Sequence, residues 1–132
     1  MKIRKKLLED ILKKFYKDKK ELERLKHKLS TLERHESEVQ KEASENGKSL
    51  KTDIDENILN VKSEIRALER FVLDFEFVMN SIDEDYRAFI KLRYGEKRSN
   101  TYISIELNIS EASVGRLRNK VLQELEEWLR DL

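Results

Sequence analysis

The chain has no cysteine, no proline and only three glycines in 132 residues. Without cysteine there is no disulfide framework, no thiolate nucleophile and no Cys-based zinc site. Without proline, nothing interrupts a helix by removing a backbone donor. Gly47, Gly95 and Gly115 stand alone and fit no phosphate-cradling loop. The two histidines, His27 and His35, are eight residues apart, a spacing that does not place them one turn apart on a helix face, so they are expected on the surface. Acidic pairs are plentiful, as a highly charged helical chain requires. No catalytic residue, metal site or cofactor is expected, and the chain does not read as an enzyme. No apolar run approaches the length of a membrane span. The N-terminal stretch MKIRKKLLEDILKKF turns from basic to apolar, but Glu9 and Asp10 interrupt any signal-peptide core. A cytoplasmic protein with no membrane partner is expected.

Charge, by contrast, is abundant: 42% of residues are charged and 38% hydrophobic, a balance that favours long helices over sheets. From Ile3 to about Val39 one heptad position takes Leu8, Phe15, Leu22 and Leu29, and the other takes Ile11, Leu25, Leu32 and Val39, interrupted by Asp18 and Glu36. Lys6, Lys13, Lys17, Lys20 and Lys28 fall outside this seam, as on the solvated side of a coiled coil. The stretch EASENGKSLK (42–51), with its Asn46–Gly47 pair, predicts a loop. A second helix is predicted from Thr52 or Asp53, where Asp53 and Glu56 resemble a capping box. Its seam is Ile54, Ile58, Val61, Ile65, Leu68, Val72, Phe75, Met79 and Ile82. Folding back about Asn46–Gly47 pairs Val39 with Ile54, Leu32 with Val61, Leu25 with Leu68, Leu22 with Val72 and Phe15 with Met79. The expectation is an all-α protein with a long antiparallel helical hairpin, a coiled coil over 1–80, and a second domain over 81–132. Leu7, Leu12, Tyr16, Phe71, Leu73, Phe77 and Val78 broaden the apolar surface at the far end. Burial there requires the C-terminal domain or a second subunit, so a homodimer is expected.

Asn80–Ser81–Ile82–Asp83 should break the second helix and cap a third, which runs to Tyr94 over Tyr86, Phe89 and Ile90. Gly95 is expected to end it as a left-handed cap. Ser99 caps the next helix, where Ile103 and Leu107 share a face. Asn108 tolerates the left-handed conformation that closes a helix, Ile109 sits in the turn, and Ser110 caps the last helix. That helix buries Val114, Leu117 and Val121 and turns Ala112, Gly115, Arg116 and Asn119 outward, flanked by Glu111, Ser113, Arg118 and Lys120. It runs on through Leu122, Leu125, Trp128, Leu129 and Leu132. Between Arg87 and Lys120 eight basic residues face three acidic ones, and after Gln123 the balance reverses. Small side chains followed by basic ones suit a helix that enters a DNA major groove.

The order Ile90, Leu92–Arg93–Tyr94, Gly95, Ser99, Ile103–Ser104, Leu107–Asn108–Ile109–Ser110, Val114 and Leu122–Leu125 resembles the helix-turn-helix of bacterial sigma factor region 4. It also resembles the ArpU and RinA types of late transcription regulator in phages of Gram-positive bacteria. The resemblance spans Ile82 to Leu129. Ser104 stands where the family usually has Ala, and Asn108 where it usually has Gly. What this implies is a DNA-binding transcriptional regulator of a phage or mobile element. Double-stranded DNA would be its partner, with Ser113, Arg116 and Asn119 reading bases and Ser99, Thr101, Arg118 and Lys120 holding phosphates. Ser110, Glu111, Ala112 and Gly115 complete the expected DNA-binding surface. Two rivals stand beside it: a module that binds RNA polymerase as region 4 does, and a phage DNA-packaging (small terminase-like) subunit.

Overall fold

The computed structural model describes residues 4–41 and 45–130, with side chains from 4–39 and 52–130. Its elements are α-helices α1 (Lys5–Lys41), α2 (Glu45–Ser81) and α3 (Glu84–Ile90), a π-helical turn (Lys91–Gly95), then α4 (Asn100–Leu107) and α5 (Glu111–Arg130). The protein is all-α, with no strand among the described residues.

The chain divides into two compact units. One is Asp18–Val72; the other joins Met1–Lys17 to Leu73–Leu132. This differs from the boundary expected at residue 80. The beginning of α1 and the end of α2 belong with the C-terminal helices, and the physical reason is the breadth of their apolar surface. Leu8, Leu12, Phe15, Val78 and Met79 are all buried in that unit.

In the unit 18–72, α1 and α2 lie against each other. They are joined by three residues, 42–44, and the Lys26 ammonium meets the Glu69 carboxylate at 3.5 Å, so their directions oppose. Leu22, Leu25, Ile54, Ile58, Val61, Ile65 and Val72 are buried, at the spacings of three and four that the repeat demands. Leu29, Leu32, Val39 and Leu68 are half-buried. Asp18 is buried in the seam position that its apolar neighbours would otherwise occupy. The expected start of α2 at Thr52 or Asp53 is corrected: the helix already runs from Glu45. Asn46 and Gly47 are therefore helical rather than a loop, and Asp53 lies inside the helix rather than at its cap. Residues 42–44, between the two helices, lie outside the described residues.

The second unit packs α3, α4 and α5 with residues 5–17 of α1 and 73–81 of α2. Its core is Leu8, Leu12, Phe15, Phe75, Val78, Met79 and Ile82 together with Phe89, Ile90, Tyr94, Ile103, Val114, Val121, Leu122 and Leu125. Phe15 stacks on Phe75 at 4.8 Å between ring centroids, one turn before the expected Met79. Phe89 and Tyr94 meet edge to face at 6.3 Å. Leu12, outside the heptad seam, is fully buried, whereas seam residue Ile11 is only half-buried.

Candidate nucleic-acid interface

The two helices that carry the candidate site are held by local cap chemistry. Ser99 precedes α4 in extended conformation, and its hydroxyl accepts from the Tyr102 backbone N–H at 3.2 Å. At the other end Asn108 adopts φ 55, ψ 47, the left-handed region. The Ile109 N–H donates to the Ser104 carbonyl at 3.0 Å and the Asn108 N–H to Ile105 at 3.3 Å. That pair of bonds is a Schellman closure, with asparagine in the position glycine often fills. Ser110 then caps α5, accepting from the Ser113 N–H at 3.1 Å. The two starts are tied together: the Thr101 hydroxyl donates to the Glu111 carboxylate at 2.8 Å.

Burial fixes which way α5 faces. Val114, Val121, Leu122 and Leu125 are 0–1% exposed, and Leu117 is half-buried. Glu111, Ala112, Gly115, Arg116, Asn119 and Lys120 are left exposed along the first three turns. Arg116 lies back toward the start of the helix, donating to the Ser113 hydroxyl at 3.1 Å. Ser113 also shares a 2.8 Å bond with Ser110. Gly115 is unusual among these. A Cβ added there would meet nothing within 4 Å, so packing inside the chain does not call for a glycine.

Two expected contacts lie elsewhere than the sequence suggests. Arg118, expected to hold a phosphate, points to the inner side of α5 and is bound by Glu9 of α1, through an ion pair and a second bond from Nε at 3.3 Å. The Tyr94 hydroxyl donates to the same carboxylate at 2.7 Å. Burial opposes the Glu9 charge, but the bonds from Arg118 and Tyr94 together hold its pKa below the usual 4.5. Burial, reinforced by the bond to Glu9, pushes Tyr94 up to about 12. Asn119, expected to read a base, accepts from the Lys5 ammonium at 2.9 Å. Nothing in the local pattern of α5 announces either partner, since Glu9 and Lys5 come from the beginning of the chain.

The approach to α4 also differs from expectation. Gly95 does not adopt a positive φ; Lys97 does, at φ 57. The π-helical turn explains the shift. Its wider bonding, Glu96 N–H to Lys91 C=O at 2.8 Å, delays closure by two residues, and the Arg98 N–H finally reaches Leu92 C=O at 2.9 Å. Gly95 instead admits the Tyr16 ring, whose Cε1 would lie 3.0 Å from an added Cβ. Burial, with the nearby Glu96 charge, pushes the Tyr16 hydroxyl up to about 12. Arg93 is bonded to the Asn100 side chain, and the Arg98 guanidinium lies 4.4 Å above the Tyr102 ring.

Both histidines are exposed, and among the described residues no acidic or histidine cluster could hold a metal ion. Among the same residues no helix is long and apolar enough to cross a membrane. No protein-family model matches the chain, and no curated protein or solved structure matches it.

Proposed function

We propose that this protein is a sequence-specific, double-stranded DNA-binding transcription regulator that reads a major groove with the beginning of α5. One observation carries the reading. α5 is capped by Ser110 and anchored by Val114 and Val121, and it leaves Ala112, Gly115, Arg116 and Lys120 exposed together in its first turns. Small residues there allow the backbone close to base edges, and Arg116 has the reach for a bidentate pair with guanine. Ser99 accepts one backbone bond and keeps a hydroxyl proton to donate to a phosphate, whereas the Ser110 hydroxyl is shared with Ser113. Action is by docking, in the cytoplasm, without catalysis. The resemblance to sigma region 4 and to the phage late regulators supports the same reading and points to a phage or mobile-element source.

A homodimer fits this role, because two-fold regulators place two recognition helices about one helical turn, roughly 34 Å, apart. Leu73 and Phe77, 59% and 61% exposed on one face of α2, are the surface we assign to pairing. The polymerase-binding alternative has one observation in its favour: Ile105 of α4 is 74% exposed and offers an apolar contact beside the reader.

The test is selection of duplexes from a random pool, followed by titration of the enriched sequence. Arg116→Ala should lose the preference for that sequence, a discrimination of about 1–3 kcal/mol, while binding to random duplex persists. An Arg116→Ala protein that prefers its sequence as strongly as wild type would remove α5 as the reader. Retention of polymerase without any enriched duplex would favour the alternative.

A further inference from the structure

The reader lies on α5, but a denser group of cations lies beside α4. A cleft of about 540 Å³ between the beginning of α1 and the turn after the π-helical segment is lined by Glu9, Lys13, Arg93, Tyr94, Lys97 and Arg98. Four of these six side chains are cationic. The one carboxylate among them, Glu9, is already satisfied by Arg118 and Tyr94. A second acid at the rim, Glu96, meets Arg98 Nε at 3.4 Å, an exposed pair that ions screen. The cleft therefore presents net positive charge to solvent.

Two details set it apart from an ordinary solvated patch. Lys97 occupies the left-handed region, where a side chain is disfavoured and glycine would sit without strain. Nothing among the described residues requires a lysine there. Arg98 is held over Tyr102, so its charge stays against the first turn of α4. That turn is capped by Ser99, an exposed residue. The cations of the cleft are thus continuous in sequence with Ser99, whose hydroxyl is assigned to phosphate.

We propose that this cleft is a second DNA-backbone contact, in which Lys13, Lys97 and Arg98 take phosphates flanking the base pairs read from α5. The proposal rests on α5 being a DNA reader, and it extends the contact surface from one helix to a residue of α1. Phosphate contacts add affinity for every sequence and carry no base preference.

The test uses the full chain, fluorescence anisotropy, and a duplex of random sequence beside one enriched by selection, each titrated over a series of salt concentrations. Lys97→Gly is the informative variant, because it relieves the left-handed strain and should melt at or above the wild-type temperature. It should nevertheless weaken binding to both duplexes by a similar factor, severalfold at moderate salt. It should also reduce the slope of log K against log salt by about 0.9, the contribution of one phosphate. Lys13→Gln should lower the slope similarly from a different helix. If both variants keep the wild-type slope while wild type binds duplex, the cleft is not a backbone contact and the α5 reading stands. If free inorganic phosphate binds the cleft but the duplex slopes do not change, it is a small-anion site and the proposal is overturned. If wild type binds no duplex at all, the α5 reading falls and this proposal falls with it.

Discussion

Replacing Gly115 by alanine should make the protein more stable and a poorer DNA binder. Gly115 sits in the second turn of α5, at a position that is exposed and does not have positive φ. A glycine within a helix is about 0.8–1.0 kcal/mol less favourable than alanine, because it loses more backbone freedom on folding. The added methyl would meet nothing within 4 Å, so no clash offsets that gain. With a urea m-value of about 1–3 kcal/mol/M, the midpoint followed by circular dichroism should rise by roughly 0.3–1 M. Binding should move the other way. If a base edge or sugar approaches the bare backbone here, a methyl forced into that contact is penalised by about 1–3 kcal/mol, roughly five- to 150-fold in affinity. The two measurements separate the explanations. A more stable Gly115→Ala protein that binds duplex as tightly as wild type would mean that nothing approaches this surface, and the main support for close groove contact would be gone.

The same geometry sets further outcomes. Lys120→Ala should weaken binding to all duplexes and reduce the salt slope by about one unit, since Lys120 is exposed a turn beyond Arg116. Glu9 has a folded pKa below its usual 4.5, so its contribution to stability is present above that value and is lost as pH falls through the lowered one. Glu9→Gln should therefore be less stable than wild type at neutral pH, and the gap should close under acid, as read by urea midpoints across pH. Tyr94 and Tyr16 are raised to about 12, so folding holds their protons where the unfolded chain releases them, and stability should decline between about 10 and 12. Tyrosinate absorbance checks this directly, and Glu9→Gln should lower the Tyr94 pKa while burial, the larger cause, keeps it raised. Sedimentation should show dimers that Phe77→Ser abolishes; a monomer at all micromolar concentrations would leave Leu73 and Phe77 without the assigned role.

The features legible in the sequence are those that local physics decides. The α2 seam is buried at Ile54, Ile58, Val61, Ile65, Val72, Phe75 and Met79, with only Leu68 half-buried, because an uninterrupted apolar repeat leaves one way to turn the helix; Ile82 is buried just past its end. Ser99, Asn108 and Ser110 cap where expected because each acts on a backbone group within five residues. The misplacements have equally definite causes. Asn46–Gly47 is a turn signal by composition, but no proline enforces a break, and α2 extends through it from Glu45. Gly95 reads as a left-handed cap until a π-helical turn shifts closure to Lys97, and that turn has no residue signature in the stretch KLRYG. The glycine answers to Tyr16, 79 positions away, which no local window contains.

The engagement of Arg118 by Glu9 shows how one side of α5 supports the other. Val114, Val121, Leu122 and Leu125 fix the rotation of the helix about its axis through burial alone, but apolar contacts are non-directional and tolerate sliding. The charged bonds from Arg118 and Tyr94 to one carboxylate of α1 are directional, and they act at the level of Lys120 and Asn119, beyond the Ser110 cap. The cap, its tie through Thr101 and Glu111, and the Glu9 anchor thus hold the exposed stretch from both ends. An arginine that looks from the sequence like a phosphate ligand serves here to position the surface that would carry one. This is also why the basic count between Arg87 and Lys120 overstates the charge α5 offers a partner. Arg116 and Lys120 face out, Arg118 does not, Arg87 turns to the Asn80 carbonyl of α2, and Arg93, Lys97 and Arg98 border the cleft instead.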